Sequence, residues 1–386
     1  MASPLLEMYP NRGLSFVRGE GAHLVTRDGT RYLDLMTNYG AAMFGHGHPI
    51  IVAALRDQID RLTSLHGSFG SDVRARASMA LAERVPIAGA SLAWVNSGAE
   101  AVEAALKFAA AASGRHRFVA FRDGYHGKTL GALAVTWAPR YRETLAPLLI
   151  AHRTVAFGDH EAVAETVGDQ TAAVIVEPVQ GESGVRIPPE GFLREVRRVC
   201  TERGVLLIVD EIQTGGGRTG WFTECERQGV EPDVICLGKG LAGGVPVGIT
   251  AVSPAIASRL PRGLHTSTFG GNPVAAAGVL AALSLLTAER LAHVRETGAR
   301  FVADLRAAAD SSIVAVRGRG LMIGVQVQPA RRDAILKALQ RDKVLAIPAG
   351  EDVIRLLPPI TIGWDDLALG VEVVPRAAAA VTAAAG

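Results

Sequence analysis

Between about Ala90 and Gly270 the chain alternates short runs of Val, Ile and Leu with amphipathic or Ala-rich helical stretches. The runs expected as strands are Leu92 to Asn96, Phe118 to Phe121, Ala173 to Glu177, Val205 to Asp210, Val234 to Leu237 and Gly248 to Val252. Almost all are continuously apolar, as strands covered by helices on both faces must be. The expected fold class is therefore α/β, with a mostly parallel central sheet sandwiched by helices. Such sheets bind ligands in the crevice beyond the carboxyl ends of their strands. Ser97, Glu177, Asp210 and Lys239 each stand at or just after such an end.

After Pro273 the pattern turns to long Ala- and Leu-rich helices. A mixed segment follows from about Ile313, containing the strand-like GLMIGVQV and VIRLLPP. This reads as a second, smaller α+β domain. The Ala-rich tail after Arg376 reads as a frayed helix end or a disordered terminus.

Composition removes several function classes. With 48% hydrophobic and 20% charged residues, the chain suits a packed globular protein. A formal charge of +2 with scattered Lys and Arg gives no basic stripe for nucleic acid or a membrane surface. No apolar run is long enough to cross a bilayer, and MASPLLEMYPNRG has no export pattern, so the expected location is cytoplasmic. Cys200, Cys225 and Cys236 are too far apart for a zinc site or a disulfide framework. His46 and His48 in GHGHP lack an acidic or Cys neighbour to complete a metal site, and no metal is expected. Gly238, Gly240 and Gly243 satisfy G-x-G-x-x-G, but no acidic residue follows where a ribose would need one.

Chemistry gathers at three strand ends. In SLAWVNSGAEAVEAALKFA a strand gives way to a turn and a helix, so free N–H groups and the positive helix end face the crevice. LLIVDEIQTGGGRTG delivers Asp210 and DVICLGKGLAGG delivers Lys239. An anion site, a carboxylate and an amine are what pyridoxal phosphate needs: an anchor, a partner for its ring nitrogen and an imine-forming base.

In order, the chain carries S-G-A-E-A, Y-H-G, E-P-V-Q-G-E, D-E-I-Q-T-G-G-G-R-T-G, G-K-G and S-T-F-G-G-N-P. From about Phe16 to Pro359 it resembles the class III aminotransferases of pyridoxal-phosphate fold type I. Three longer stretches, D-L-M-T-N-Y-G-A-A-M-F-G-H-G-H-P, A-V-T-W-A-P-R-Y-R and L-P-R-G-L-H-T-S-T-F-G-G-N-P, look most like the acetylornithine and LysW-γ-lysine aminotransferase branch.

The resemblance implies roles. Lys239 would be the Schiff-base lysine and proton shuttle, and Asp210 would keep the ring nitrogen protonated. Gln213 would bond the ring hydroxyl, with Ile212 beneath the ring and Tyr125 stacked on its other face. Gly98 and Ala99, with Ser97 beside them, would hold the phosphate. Thr268 would reach it from the neighbouring subunit, making a homodimer the smallest complete enzyme. Glu182 and Arg355 would pair to present a neutral wall, and part so that the arginine grips the acceptor's carboxylate. Where acetylornithine-type enzymes have an arginine after the aromatic-x-Gly turn, this chain has Lys128, as in putrescine aminotransferases. Tyr39 aligns with a carboxylate-binding tyrosine of ornithine aminotransferases.

The expected domains are an N-terminal segment over 1–45, a large cofactor domain over 46–289 and a small domain over 290–386. The expected reaction moves a terminal amino group from a diamine or basic amino-acid derivative to 2-oxoglutarate. A LysW-type donor would add a carrier protein as partner. The alternatives are an internal amino shift on the same scaffold and a non-catalytic cofactor-binding protein.

Overall fold

The computed structural model describes residues 6–384. The chain opens on an antiparallel meander of β1 (Phe16–Glu20), β2 (His23–Thr26) and β3 (Arg31–Asp34). After it, Thr37, Asn38, Tyr39 and Gly40 all have positive φ, a left-handed run that costs each non-glycine residue roughly 1–2 kcal/mol. Hydrogen bonds hold it. Asp34 Oδ1 accepts the N–H groups of Met36 and Thr37 at 3.0 and 2.9 Å, and Thr37 Oγ1 donates to the Leu357 carbonyl at 2.6 Å.

Helices Pro49–Arg61 and Asp72–Ala82 lead into the central sheet. Its strands are β4 (Ser91–Val95), β5 (Arg117–Phe121), β6 (His152–Val155), β7 (Thr171–Val176), β8 (Leu206–Asp210), β9 (Val234–Gly238) and β10 (Gly248–Val252). They lie in the order β4-β10-β9-β8-β7-β5-β6. Only β10 runs against the rest, antiparallel to both β4 and β9. The middle strands β7, β9 and β10 are buried along their whole length, because helices such as Gly98–Ser113 and Phe192–Glu202 cover the sheet. Six of these strands follow from their apolar runs. The seventh, β6, does not: HRTV sits at the sheet edge beside β5 alone, half exposed, and carries no apolar run.

The helices Pro273–Leu285 and Ala288–Ala307 lead to a four-stranded sheet. It contains β11 (Ile313–Arg319) and β12 (Met322–Val327). β13 (Val344–Leu345) instead adds in parallel to β3, tying the first strands to the last third of the chain. β14 (Ile347–Ala349) and β15 (Val353–Leu356) complete the C-terminal sheet in the order β11-β12-β15-β14. The Ala-rich tail is neither frayed nor loose over its described length. It continues the helix Trp364–Ala383, with Ala377 and Ala378 buried, and residues 385–386 lie outside the described residues. Among the described residues no single helix is long and apolar enough to cross a membrane.

Two sequence decoys find their explanations here. A Cβ on Gly240 would stand 2.3 Å from the Met43 Cβ, and one on Gly243 would stand 2.6 Å from an Ile51 methyl, so these glycines admit neighbouring side chains. His46 does have an acidic neighbour, contrary to the reading from sequence. Its Nε2 lies 2.8 Å from Asp34 Oδ2, brought across by the fold from β3.

Candidate active site

A cleft of about 490 Å³ opens where β4, β5, β7, β8 and β9 end. At one end of it lies the N-terminus of the helix Gly98–Ser113, a geometry that suits an anion. Ser97 caps this helix, its hydroxyl accepting the Glu100 N–H at 3.2 Å, while Glu100 Oε2 accepts the Asn96 N–H at 2.5 Å. The N–H groups of Gly98 and Ala99, both lining the cleft, have no acceptor within the helix. Gly98 also lies against Ile212, since a Cβ there would be 2.8 Å from Ile212 Cγ2. Ser97 thus serves the helix, and its two successors face the cleft.

Across the cleft lies a buried polar group that sequence reasoning did not assemble. His126 Nδ1 lies 2.7 Å from Asp210 Oδ2, and Asp210 Oδ1 accepts the Ile212 N–H at 3.0 Å. Burial alone would strip the imidazole of its proton, but the hydrogen bond and charge of Asp210, with Glu177 beyond, outweigh it and raise the His126 pKa. Glu177, just past β7, is buried, and that burial pushes its pKa up to about 7. The sequence signals were present in Y-H-G and in a carboxylate directly after an apolar strand. Their partners lie 84 and 52 positions away.

Lys239 follows β9 in a left-handed conformation, φ 49°, and lines the same cleft. Burial holds its ammonium below the ordinary lysine range, although Glu182 and Asp210 pull the other way. Tyr125 forms another wall, its ring centroid 6.4 Å from that of Tyr141. Burial and the neighbouring Glu182 push its phenol up to about 12, so it stays protonated.

The C-terminal sheet contributes Arg355, which is fully buried on β15. It donates to Glu182 Oε1 at 2.7 Å and to Gln213 Oε1 at 2.9 Å, while its Nε has no partner among the described residues. Burial would raise the Glu182 pKa, but Arg355, Lys239 and Lys128 outweigh it, and the carboxyl stays below its usual range. Tyr39, presented by the left-handed turn, has its ring centroid 5.5 Å from the Arg355 guanidinium. Lys128 is exposed at the cleft mouth, its Nζ 4.1 Å from the Tyr141 ring centroid. Thr268 is exposed and does not line the cleft of its own chain; the neighbouring Ser267 instead accepts from Asn96 Nδ2 at 2.9 Å.

The family model for class-III aminotransferases matches residues 8–377. The chain belongs to this family. An acetylornithine aminotransferase of Methanopyrus kandleri is 44% identical over 363 residues, covering 94% of this chain and 93% of the relative. A [LysW]-aminoadipate semialdehyde transaminase of Deinococcus radiodurans is 41% identical over 364 residues, covering 93% and 85%. Among solved structures, the ornithine aminotransferase of Toxoplasma gondii superposes with a TM-score of 0.93 at 30% identity, covering 98% of this chain and 93% of that one.

Class-III aminotransferases use pyridoxal phosphate, and the donor set of this aminotransferase fits it. Free helix N–H groups suit a phosphate, the buried Asp210 carboxylate suits a protonated ring nitrogen, and the desolvated Lys239 amine suits a carbonyl. Tyr125 and Ile212 supply flat and apolar walls in the same cleft.

Proposed function

We propose that this aminotransferase moves a terminal, ω-type amino group from a diamine or a basic amino-acid derivative to 2-oxoglutarate, giving an aldehyde and glutamate. The observation that carries this reading is the Glu182–Arg355 pair, one partner fully buried, at the rim of the Lys239 cleft. One cleft must accept two substrates in turn. Paired with Glu182, Arg355 offers a donor no net charge; released, its fork is free to take the acceptor's carboxylate through two hydrogen bonds.

When bound, pyridoxal phosphate supplies the electron sink that makes the amino-bearing carbon acidic. Gly98 and Ala99 hold its phosphate, and Asp210 holds the proton on its ring nitrogen. Gln213, whose Oε1 accepts from Arg355, would offer its NH₂ group to the ring hydroxyl. Lys239 would hold the cofactor through its amine and would carry a proton at Nζ away from the donor carbon. Ile212 and Tyr125 fix the plane in which this happens.

The assembly in this reading is a homodimer in the cytoplasm, each cleft completed by the partner subunit's Thr268; in this chain Thr268 is exposed and does not line its own cleft. The chain divides into an N-terminal segment 1–45, a cofactor domain 46–289 and a small domain 290–386. Relatives named for acetylornithine and for [LysW]-aminoadipate semialdehyde make N-blocked basic amino acids candidate donors, the latter bound to a carrier protein. Lys128 favours a different emphasis. An ammonium resting on the Tyr141 ring offers a substrate carboxylate a point charge, where a guanidinium would offer a planar fork. Amines without an α-carboxylate are accordingly expected to be good donors. Rates with acetylornithine, ornithine, GABA, putrescine and LysW-γ-lysine, each with 2-oxoglutarate, test both statements; no glutamate from any of them would overturn the first.

A further inference from the structure

The segment E-P-V-Q-G-E, residues 177–182, makes more ties than amino transfer itself uses. Glu177 Oε1 accepts the Tyr125 N–H at 2.8 Å, and its Oε2 accepts the Gly181 N–H at 3.4 Å. Gln180, also buried, adds a link between the same loops, its Nε2 donating to the Arg122 carbonyl at 2.8 Å. Tyr125 lies on the loop after β5 and walls the cleft. Gly181 immediately precedes Glu182, the partner of Arg355.

The second loop has little slack. A Cβ on Gly181 would fall 1.8 Å from Gln213 Oε1, so movement towards Gln213 is blocked, and movement the other way breaks the bond to Glu177. We propose that Glu177 is a positioning residue of the transamination site, setting the Tyr125 wall and Glu182 in one register by accepting a backbone N–H from each loop. This rests on reading Glu182 and Arg355 as the device that lets one cleft take two substrates.

Above its raised pKa of about 7 the Glu177 carboxylate suits the task because both its oxygens accept, whereas an amide offers one acceptor and one donor. In Glu177→Gln the oxygen keeps the shorter bond to Tyr125, and the NH₂ meets the Gly181 N–H donor to donor. The loop before Glu182 is then released and Arg355 is less well neutralised. In the holoenzyme, KM for the amino donor should rise about tenfold, the scale of one hydrogen bond to a charged group. The constants of the 2-oxoglutarate half-reaction should change by less than the donor KM does. Deuterium uptake should rise in peptides covering 178–184 and not in those covering 122–127, while Glu177→Asp, which keeps two acceptors, should recover most of the donor KM.

Unchanged uptake in both segments would overturn the proposal. So would equal losses in the two half-reactions, the mark of a residue that only holds the fold. Glu182→Gln measured alongside separates the two layers. If it leaves donor KM unchanged, the two-substrate reading of the pair fails, and the uptake data alone decide whether Glu177 ties the loops.

Discussion

His126 Nδ1 lies 2.7 Å from Asp210 Oδ2, with both side chains almost wholly out of solvent. Asp210 reaches the cleft already compensated on one oxygen, so its charge is oriented before any ligand arrives. His126→Asn removes this compensation, and kcat is expected to fall about ten- to a hundredfold with cofactor retained, the worth of one charge-assisted hydrogen bond. The stability effect has a defined sign. His126 has its pKa raised in the fold, so the pair's contribution is fully present below the unfolded histidine's pKa and is lost as pH rises through the folded one. The Tm gap between wild type and variant should therefore be widest near pH 6 and narrow above it; a gap constant with pH would show the imidazole to be neutral.

Lys239→Ala removes the amine and leaves the helix N-terminus intact. The variant should stay folded, keep cofactor through its phosphate and lose at least about a thousandfold in turnover. Turnover close to wild type would move the chemistry elsewhere.

Arg355→Ala should lower kcat/KM for 2-oxoglutarate by about a hundredfold or more, and change the half-reaction with putrescine by less than about fivefold, because only the acceptor needs the bidentate grip. Stopped-flow measurement of each half-reaction separates the two. Equal losses would make Arg355 a fold residue.

Lys128→Arg replaces a point charge with a planar fork. The ratio of specificity constants, acetylornithine over putrescine, should rise about ten- to a hundredfold. An unchanged ratio would show that the Lys128 position does not read the α-carboxylate.

Glu211 tests burial away from the chemistry. It accepts from the Cys225 N–H at 2.9 Å and from the Thr214 hydroxyl, and burial, with Glu224 nearby, pushes its pKa up to about 8. A raised carboxyl costs stability as pH climbs, because the unfolded chain releases its proton near pH 4.5 and the folded chain holds it until about 8. Glu211→Gln can keep both contacts without the charge. Its unfolding free energy should exceed that of wild type by an amount that grows from pH 5 to pH 8, reaching about 2–4 kcal/mol. A difference constant with pH would place the proton elsewhere.

What the sequence made legible and what it hid divide along physical lines. Lys239, Asp210 and the Gly98–Ala99 turn were readable because an apolar run announces a buried strand and a parallel sheet puts ligands at strand ends. The edge strand β6 was hidden because half its surface is wet and its residues need not be apolar. The reversed direction of β10 was hidden because a buried strand reads the same either way. His126 and Glu177 stood in quoted motifs, but each acts through a partner on another strand's loop, and the spacing of residues carries no sign of which loops meet. Asp34 and His46 are the same case, a pair formed by the path of the chain.

Gln213 and Arg355 are hydrogen-bonded to each other across 142 positions. While the chain is being made, the central sheet and Lys239 emerge long before β15. Gln213 and Glu182 are therefore both made well before the cation that joins them. Closing so long a loop is slow compared with local helix formation. The pair is thus completed only when β15 arrives, and a chain stopped before it would lack the side chain proposed to grip an oxo-acid.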